Sequence, residues 1–185
     1  MNSPKVYIFA GANGSGKTTL AKSLLQKGMA YINADEIKKS CGISSLDAGR
    51  QALLAIDGRI KQSENFAFET TMSGLTLLNR FKALKKRKYD ITIYYLFAYP
   101  IDLLEERIKE RVRKGGHTVD YKDIVRRYYR SAKNFWVIYK KFADTWIIVL
   151  NNEHQYKNMA SGNKQRFYTL DETEFAQFME VIRHG

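Results

Sequence analysis

The chain has 185 residues, of which 44% are hydrophobic and one is a cysteine, and its formal net charge is +12. This length predicts a single domain with a sizeable core, and a lone Cys41 excludes an internal disulfide. No apolar run is long enough for a signal-peptide core or a membrane span, so the sequence favours a cytoplasmic protein without membrane contact.

The chain begins with the pattern of a phosphate-binding loop. Residues 5–10 are β-branched and aromatic and predict a buried strand, whereas residues 19–27 are mostly good helix formers. Between them stands a complete G-x-x-x-x-G-K-[ST] motif, in the strand–loop–helix order that phosphate binding requires. Backbone N–H groups and the positive end of the helix would hold the phosphates of ATP. The predicted nucleotide-binding residues are Gly11, Ala12, Asn13, Gly14, Ser15, Gly16, Lys17, Thr18 and Thr19.

Two side chains of this motif have predicted chemical roles. Lys17 would reach the β- and γ-phosphates and is predicted to be catalytic. The Thr18 hydroxyl would hold Mg²⁺. The motif therefore predicts ATP and Mg²⁺ as cofactors.

The rest of the chain alternates short apolar strands with helical patterns. Strands are predicted over residues 29–33, 65–69, 90–98 and 145–150, and helices over about 45–60, 75–88, 100–114 and 120–142. Residues 151–164 are predicted as a polar loop, followed by an edge strand at 165–170 and a last helix to Arg183. This alternation predicts an α/β fold of the P-loop NTPase, kinase-like type: a three-layer α/β/α domain with a mostly parallel sheet. We expect one domain over residues 1–185, with a core at about 5–150 and a C-terminal strand and helix at about 165–184.

Two carboxylates follow predicted strands and would lie beside the phosphate loop, since ligands bind at the carboxyl ends of parallel strands. Asp35 is the candidate catalytic base that accepts the proton of an attacking hydroxyl; the alternative is a helix cap. Glu69 would hold a metal-bound water or a substrate hydroxyl; the alternative is a structural ion pair with an arginine.

Two arginines on the helix over 100–114 are candidate catalytic residues. Arg107 and Arg111 are spaced i, i+4 beside an apolar stripe of Leu104, Ile108 and Val112 that is expected to pack inward. The two arginines lie just before a Gly-Gly pair. This position would allow their helix to act as a lid that closes over the transferring phosphate. The alternative is ion pairing within the helix.

Five blocks in this order resemble the zeta toxin family of P-loop kinases. They are residues 10–20, Asn33 to Glu36, Phe68 to Thr71, Arg107 to His117, and Arg126 to Tyr128. The resemblance covers about residues 5–150 and is closer to a short, stand-alone branch of the family than to the longer toxins.

The resemblance implies a phosphotransferase in which Asp35 deprotonates the hydroxyl that attacks ATP. Better-known family members phosphorylate the 3′-hydroxyl of UDP-N-acetylglucosamine, which makes this sugar nucleotide the leading candidate substrate and an antitoxin protein a possible partner. Arginines near Arg107 and Arg111 contact phosphates in the family, and Arg113 is one further candidate for a second phosphate-contacting arginine. The implied substrate-binding residues are Glu69, Thr70, Thr71, His117, Arg126 and Arg127.

Two other functions stay open, one of them because of the charge. Residues 80–130 contain 15 Lys and Arg against 7 Asp and Glu, a net charge of +8. A basic surface attracts polyanions, so one alternative is a nucleic-acid-directed, polynucleotide-type kinase, although no nucleic-acid recognition motif is present. The other alternative is a non-catalytic, ATP-gated module that binds a protein.

Overall fold

The computed structural model describes residues 3–115, 119–152 and 155–184. Within these ranges the strands are β1 (Lys5–Ala10), β2 (Ala30–Ile32), β3 (Phe66–Thr70), β4 (Asp90–Phe97), β5 (Thr145–Asn152), β6 (Gln155–Gly162) and β7 (Phe167–Thr169). The helices are α1 (Lys17–Leu24), α2 (Ala34–Cys41), α3 (Ser45–Gln62), α4 (Leu78–Lys86), α5 (Asp102–Arg113), α6 (Tyr121–Val137) and α7 (Glu172–Arg183). A short 3₁₀ turn, Tyr139–Phe142, follows α6.

The strands form one sheet in the order β2-β3-β1-β4-β5-β6-β7. The first five strands are parallel, and β6 and β7 are antiparallel additions at one edge. This arrangement confirms the prediction of an α/β fold with a mostly parallel sheet.

The side chains of β1 alternate between the two faces of the sheet. Val6 and Ile8 belong to a large buried cluster to which α3, α4, α6 and α7 contribute. Phe9 points to the opposite face, where it packs in a smaller cluster with Leu20 and Ala21 of α1. Because both faces of β1 are covered by helices, the strand is apolar nearly throughout, as expected for a parallel sheet.

The prediction of a polar loop over residues 151–164 is wrong. Asn151 and Asn152 extend β5, and most of the remaining segment is β6, which pairs antiparallel with β5. The polar composition concealed the strand, whose core contacts are limited to Met159 and Ala160, both completely buried.

Three smaller differences concern helices. Residues 34–41 form a helix, α2, that was not predicted. The helix predicted over 120–142 ends at Val137, because the chain tightens into the 3₁₀ turn. Val112 is 37% exposed rather than packed inward with Leu104 and Ile108, since α5 extends beyond the core at its C-terminal end. No helix in the described part of the chain is long and apolar enough to cross a membrane.

Candidate functional site

The carboxyl ends of three adjacent strands bring the candidate residues together. In the sheet, β3 lies between β2 and β1. The phosphate loop follows β1, Asp35 lies in the first turn of the helix that follows β2, and Glu69 is the second-last residue of β3. The sequence prediction that these residues share one edge of the sheet is confirmed.

The phosphate loop leaves no room for side chains at two of its glycines. A Cβ on Gly11 would lie 2.3 Å from the carbonyl oxygen of Leu96, and a Cβ on Gly16 would lie 2.3 Å from Nδ2 of Asn151. Gly16 also has a φ of 93°, which side-chain-bearing residues rarely adopt. The loop is therefore packed closely against β4 and β5.

Two residues, one in β5 and one in β6, donate hydrogen bonds to the phosphate loop. Nδ2 of Asn151 donates to the carbonyl oxygen of Ser15 at 2.9 Å, and the hydroxyl of Tyr156 donates to that of Gly16 at 3.2 Å. Sequence reasoning missed both residues. For Asn151 a signal existed: it directly follows a predicted buried strand, so it reaches the same edge of the sheet as the phosphate loop.

The ammonium group of Lys17 lies over the loop. Its Nζ donates to the carbonyl oxygens of Gly11 at 3.0 Å and of Ala12 at 2.9 Å. Burial lowers the pKa of Lys17, and the carboxylates of Glu69 and Asp35 oppose that shift. These contacts place a positive charge where the loop would hold phosphate oxygens.

Glu69 lies near two hydroxyl groups. Tyr31 donates a hydrogen bond to its Oε1 atom, and Thr18 is close enough to its carboxyl group to affect its pKa. Burial raises the pKa of Glu69, whereas Lys17 and Thr18 act in the opposite direction. The predicted alternative for Glu69, an ion pair with an arginine, does not appear among the ion pairs of the described residues.

The oxygen donors at this point fit Mg²⁺. The ion prefers hard oxygen ligands and usually combines one or two protein groups with substrate phosphates and waters. Thr18 and Glu69 supply a hydroxyl and a carboxylate next to the phosphate loop. Within the described residues no group of three or more His, Cys, Asp or Glu could hold a metal without such outside ligands.

Asp35 lies close to Arg111 of α5. Its Oδ2 atom lies 3.8 Å from Nη1 of Arg111, and its side chain is 68% exposed. The alternative role of Asp35 as a helix cap is wrong, because Asn33 caps α2: its Oδ1 accepts from the backbone N–H of Asp35 at 2.8 Å and of Glu36 at 3.4 Å. The carboxylate of Asp35 therefore does not cap this helix.

A second arginine reaches the loop from α6. Nη1 of Arg127 donates to Oδ1 of Asn13 at 3.2 Å. The positive charges of Arg127 and Arg111 both lower the pKa of Lys17. Three cationic groups, from the loop, α5 and α6, therefore lie near one another at this edge of the sheet.

Arg107 has different surroundings from Arg111, although both lie on α5. Its Nη1 donates to the backbone carbonyl of Asn151 at 2.9 Å. Its Nε and Nη2 atoms are buried without a hydrogen-bond partner in the described part of the chain. Burial lowers the pKa of Arg107, and nearby Tyr156 opposes the shift.

The other predicted residues lie at the margin of this site. The Thr70 hydroxyl accepts from the N–H of Met72, and Thr71 contacts Ser73 through their hydroxyls at 3.0 Å. Arg126 is paired with Asp123 at 2.7 Å. Thr19 is exposed, and His117 lies outside the described residues.

Known structures share this fold. A crystal structure of the AvrRxo1-ORF1:-ORF2 complex with ATP matches with a TM-score of 0.78 at 14% identity, over 95% of this chain and 63% of that chain. The chain therefore spans less than two thirds of that protein. The PezAT chromosomal toxin-antitoxin system of Streptococcus pneumoniae matches with a TM-score of 0.59 at 14% identity, over 100% of this chain and 88% of that chain.

Sequence comparison gives the family. An uncharacterized protein of Haemophilus influenzae (strain ATCC 51907 / DSM 11121 / KW20 / Rd) is 32% identical over 127 residues, which cover 66% of this chain and 90% of that protein. The Zeta toxin family model matches residues 1–169. A match over this much of the chain, with the fold of P-loop kinases, means that the protein belongs to the zeta toxin family.

Proposed function

We propose that this protein is an ATP- and Mg²⁺-dependent phosphotransferase that moves the γ-phosphate to a hydroxyl of a small molecule. The observation that carries the proposal is the position of Asp35, an exposed carboxylate 3.8 Å from Arg111 and close enough to affect the charge of Lys17. A base, a phosphate-binding cation and a phosphate loop are the parts that phosphoryl transfer needs.

Each group has a role in this reaction. The loop amides and Lys17 would hold the phosphates of ATP, and Thr18 would hold Mg²⁺, which would neutralise charge on the phosphate oxygens. Glu69 would hold a metal-bound water or the acceptor hydroxyl. Asp35 accepts the proton of the acceptor hydroxyl. The acceptor oxygen then bonds to the γ-phosphorus as the bond to the β–γ bridging oxygen breaks, and ADP leaves. Arg111 lies where it would balance the charge of the transferring group.

The acceptor we propose first is UDP-N-acetylglucosamine, phosphorylated at its 3′-hydroxyl, because the chain belongs to the zeta toxin family. Glu69, Thr70, Thr71, Arg126, Arg127 and His117 remain the proposed substrate-binding residues. An antitoxin partner is also a proposal, supported by the fold shared with a protein of a pneumococcal toxin-antitoxin system.

A polynucleotide acceptor receives less support from the charges. Several cations of the basic segment are paired with carboxylates rather than left to attract a polyanion: Arg80 with Asp57, Lys85 with Asp144, Lys109 with Glu105 and Lys114 with Glu110. A non-catalytic, ATP-gated module would not require a carboxylate at the position of Asp35.

The test is incubation of the protein with ATP, Mg²⁺ and a pool of sugar nucleotides and nucleosides, followed by mass spectrometry. We expect an acceptor to gain one phosphoryl group, a mass increase of about 80 Da. Asp35→Asn should retain ATP binding and lose about 10²–10⁴-fold in transfer rate. The matched control is Glu36→Gln, which removes the neighbouring carboxylate of the same helical turn.

Equal transfer by Asp35→Asn and the parent would remove Asp35 from the mechanism. ATP binding without product from any acceptor would support the ATP-gated module, and transfer only to oligonucleotides would support the polynucleotide kinase.

A further inference from the structure

A lysine side chain lies among three aromatic rings just beyond the end of α6. Lys140 belongs to the 3₁₀ turn, and its Nζ atom lies 3.1 Å from the centroid of the Trp136 ring. The ring centroids of Trp146 and Phe167 are 5.6 Å and 5.9 Å from the same atom. We propose that the amine of Lys140 is a site of covalent modification, which takes an acyl group from an acyl phosphate.

The three rings come from three different elements and contact one another. Trp136 lies in α6, Trp146 in β5 and Phe167 in β7, and their centroids are 5.8–5.9 Å apart. Gly162 of β6 leaves room for them, since a Cβ there would lie 2.5 Å from Cζ2 of Trp146 and 2.5 Å from Cβ of Phe167. The fold therefore builds this ring cluster, and the ammonium group lies over it.

Lys140 forms no ion pair within the described residues. The nearest carboxylate along the chain, that of Asp144, pairs with Lys85 at 2.9 Å and with Lys164 at 3.0 Å. A ring face attracts a cation through its quadrupole, but it does not neutralise the charge. Burial lowers the pKa of Lys140 to about 8, and the positive charge of Lys141 acts in the same direction. Near neutral pH, part of the Lys140 population is therefore the neutral, nucleophilic amine.

The ring cluster reaches the protein surface, so a small reagent can approach Nζ. Trp146 is 2% exposed and forms the inner wall, whereas Phe167 is 47% exposed. Lys140 is itself partly exposed, and the next residue, Lys141, is exposed. The charge of Lys141 and the net charge of +12 attract a reagent that carries a phosphate group. These charges favour an acyl phosphate over an uncharged acyl donor.

The reaction needs no further co-reactant. The neutral Nζ of Lys140 attacks the carbonyl carbon of the acyl phosphate. An amide bond forms between nitrogen and carbon, the bond from that carbon to the bridging phosphate oxygen breaks, and inorganic phosphate leaves with the electron pair. The nitrogen releases its proton to water. The product is a neutral amide, which avoids the cost of holding a charge against apolar rings.

The ring cluster is separate from the proposed phosphotransfer site. Trp146 lies near the amino end of β5, whereas Asn151, five residues further along the strand, donates to the phosphate loop. A strand advances about 3.3 Å per residue, which places these two residues roughly 16 Å apart. The inference therefore does not rest on the proposed function, and its test does not alter a residue of the phosphate loop.

The experiment incubates the protein with acetyl phosphate at pH 7.5 and follows acetylation of each lysine by peptide mass spectrometry. An amine with a pKa of about 8 is about one quarter neutral at this pH, compared with about 0.1% for an ordinary lysine. We expect Lys140 to react at least about tenfold faster than Lys141, because its lower basicity offsets only part of this advantage. The rate at Lys140 should reach a plateau above about pH 9.

Variants and fluorescence connect this reactivity with the rings. Trp136→Leu removes the nearest ring and should return Lys140 to the acetylation rate of Lys141, whereas Val137→Ala, at an exposed residue of the same helix, should retain the difference. The chain has two tryptophans, and both lie close to Nζ. Tryptophan fluorescence should therefore change with a midpoint at about pH 8, and Lys140→Arg should abolish this transition.

Equal acetylation of Lys140 and Lys141 would overturn the inference, as would an undiminished rate at Lys140 in Trp136→Leu. A rate at Lys140 that continues to rise up to about pH 10 would also overturn it, because the amine would then behave as an ordinary lysine. If Trp136→Leu does not fold, the pH profile and the fluorescence of the parent protein and of Lys140→Arg decide the outcome.

Discussion

The guanidinium group of Arg111 lies 3.8 Å from the carboxylate of Asp35, so that α5 meets the first turn of α2 beside the phosphate loop. Both side chains remain accessible, at 40% and 68% exposure. Exposed ion pairs of this kind contribute at most about 1 kcal/mol to stability. The pair therefore contributes little to folding, which leaves both groups available for the phosphate chemistry that we propose.

Arg111→Gln should lower kcat for phosphoryl transfer by about 10³-fold, because the guanidinium would no longer balance charge on the transferring phosphate. The matched control is Lys109→Gln, which removes an exposed charge from the same helix. Steady-state kinetics of both variants with the acceptor found by mass spectrometry checks the prediction. A comparable loss in Lys109→Gln would mean that overall charge accounts for the effect.

Asn151→Ala should raise the KM for ATP and destabilise the protein by about 1–3 kcal/mol, because the carbonyl of Ser15 would lose its hydrogen-bond donor in a buried place. The control is Asn152→Ala, whose side chain accepts from the N–H of Tyr99 at 3.1 Å, away from the loop. Chemical denaturation and ATP titration of both variants distinguish the two effects. If both variants lose stability but ATP binding is unchanged in each, Asn151 does not position the loop.

Some parts of the site could be predicted from the sequence, and others could not. The phosphate loop is a contiguous motif, and its glycines are required by local geometry, so the sequence is sufficient to find it. The shared edge of Asp35 and Glu69 follows from a general rule for parallel sheets. The same rule places Asn151 at this edge, but its hydrogen bond to Ser15 spans 136 residues, and no local pattern identifies a partner at that distance.

The missed strand β6 has a related cause. Its residues 155–158 are exposed, and only Met159 and Ala160 are buried. Sequence patterns identify strands by the burial of one or both faces, and this strand is stabilised mainly by backbone pairing with β5. Because this strand was not predicted, the hydrogen bond from the Tyr156 hydroxyl to the carbonyl oxygen of Gly16 was not predicted either.

Glu69→Gln should stabilise the ligand-free protein at neutral pH and weaken its affinity for Mg²⁺–ATP by about 10–100-fold. Burial raises the pKa of Glu69 above its ordinary value of 4.5. A carboxyl whose pKa is raised by folding favours the folded state below its unfolded pKa, and this contribution is lost as the pH rises through the folded pKa. The neutral glutamine avoids that loss.

Thermal unfolding of the parent and of Glu69→Gln over a pH series checks this prediction. The advantage of the variant should be largest at neutral pH and should shrink as the pH falls and Glu69 becomes protonated. Glu64→Gln, at a partly buried residue before β3 that is ion-paired with Arg59, serves as the control. A stability difference that does not depend on pH would show that the charge of Glu69 is not the cause.

Arg107→Gln should raise the KM for ATP by about tenfold while changing kcat much less than Arg111→Gln does. Arg107 donates to the carbonyl of Asn151, and its buried Nε and Nη2 atoms lack partners in the described part of the chain. Nucleotide oxygens would supply those partners in both the ground state and the transition state, and an interaction that is equal in both states affects KM rather than kcat. The variant should also unfold at an equal or higher temperature than the parent without ligand, and lose part of the stabilisation by ATP. A fall in kcat as large as that of Arg111→Gln would instead place Arg107 on the transferring phosphate.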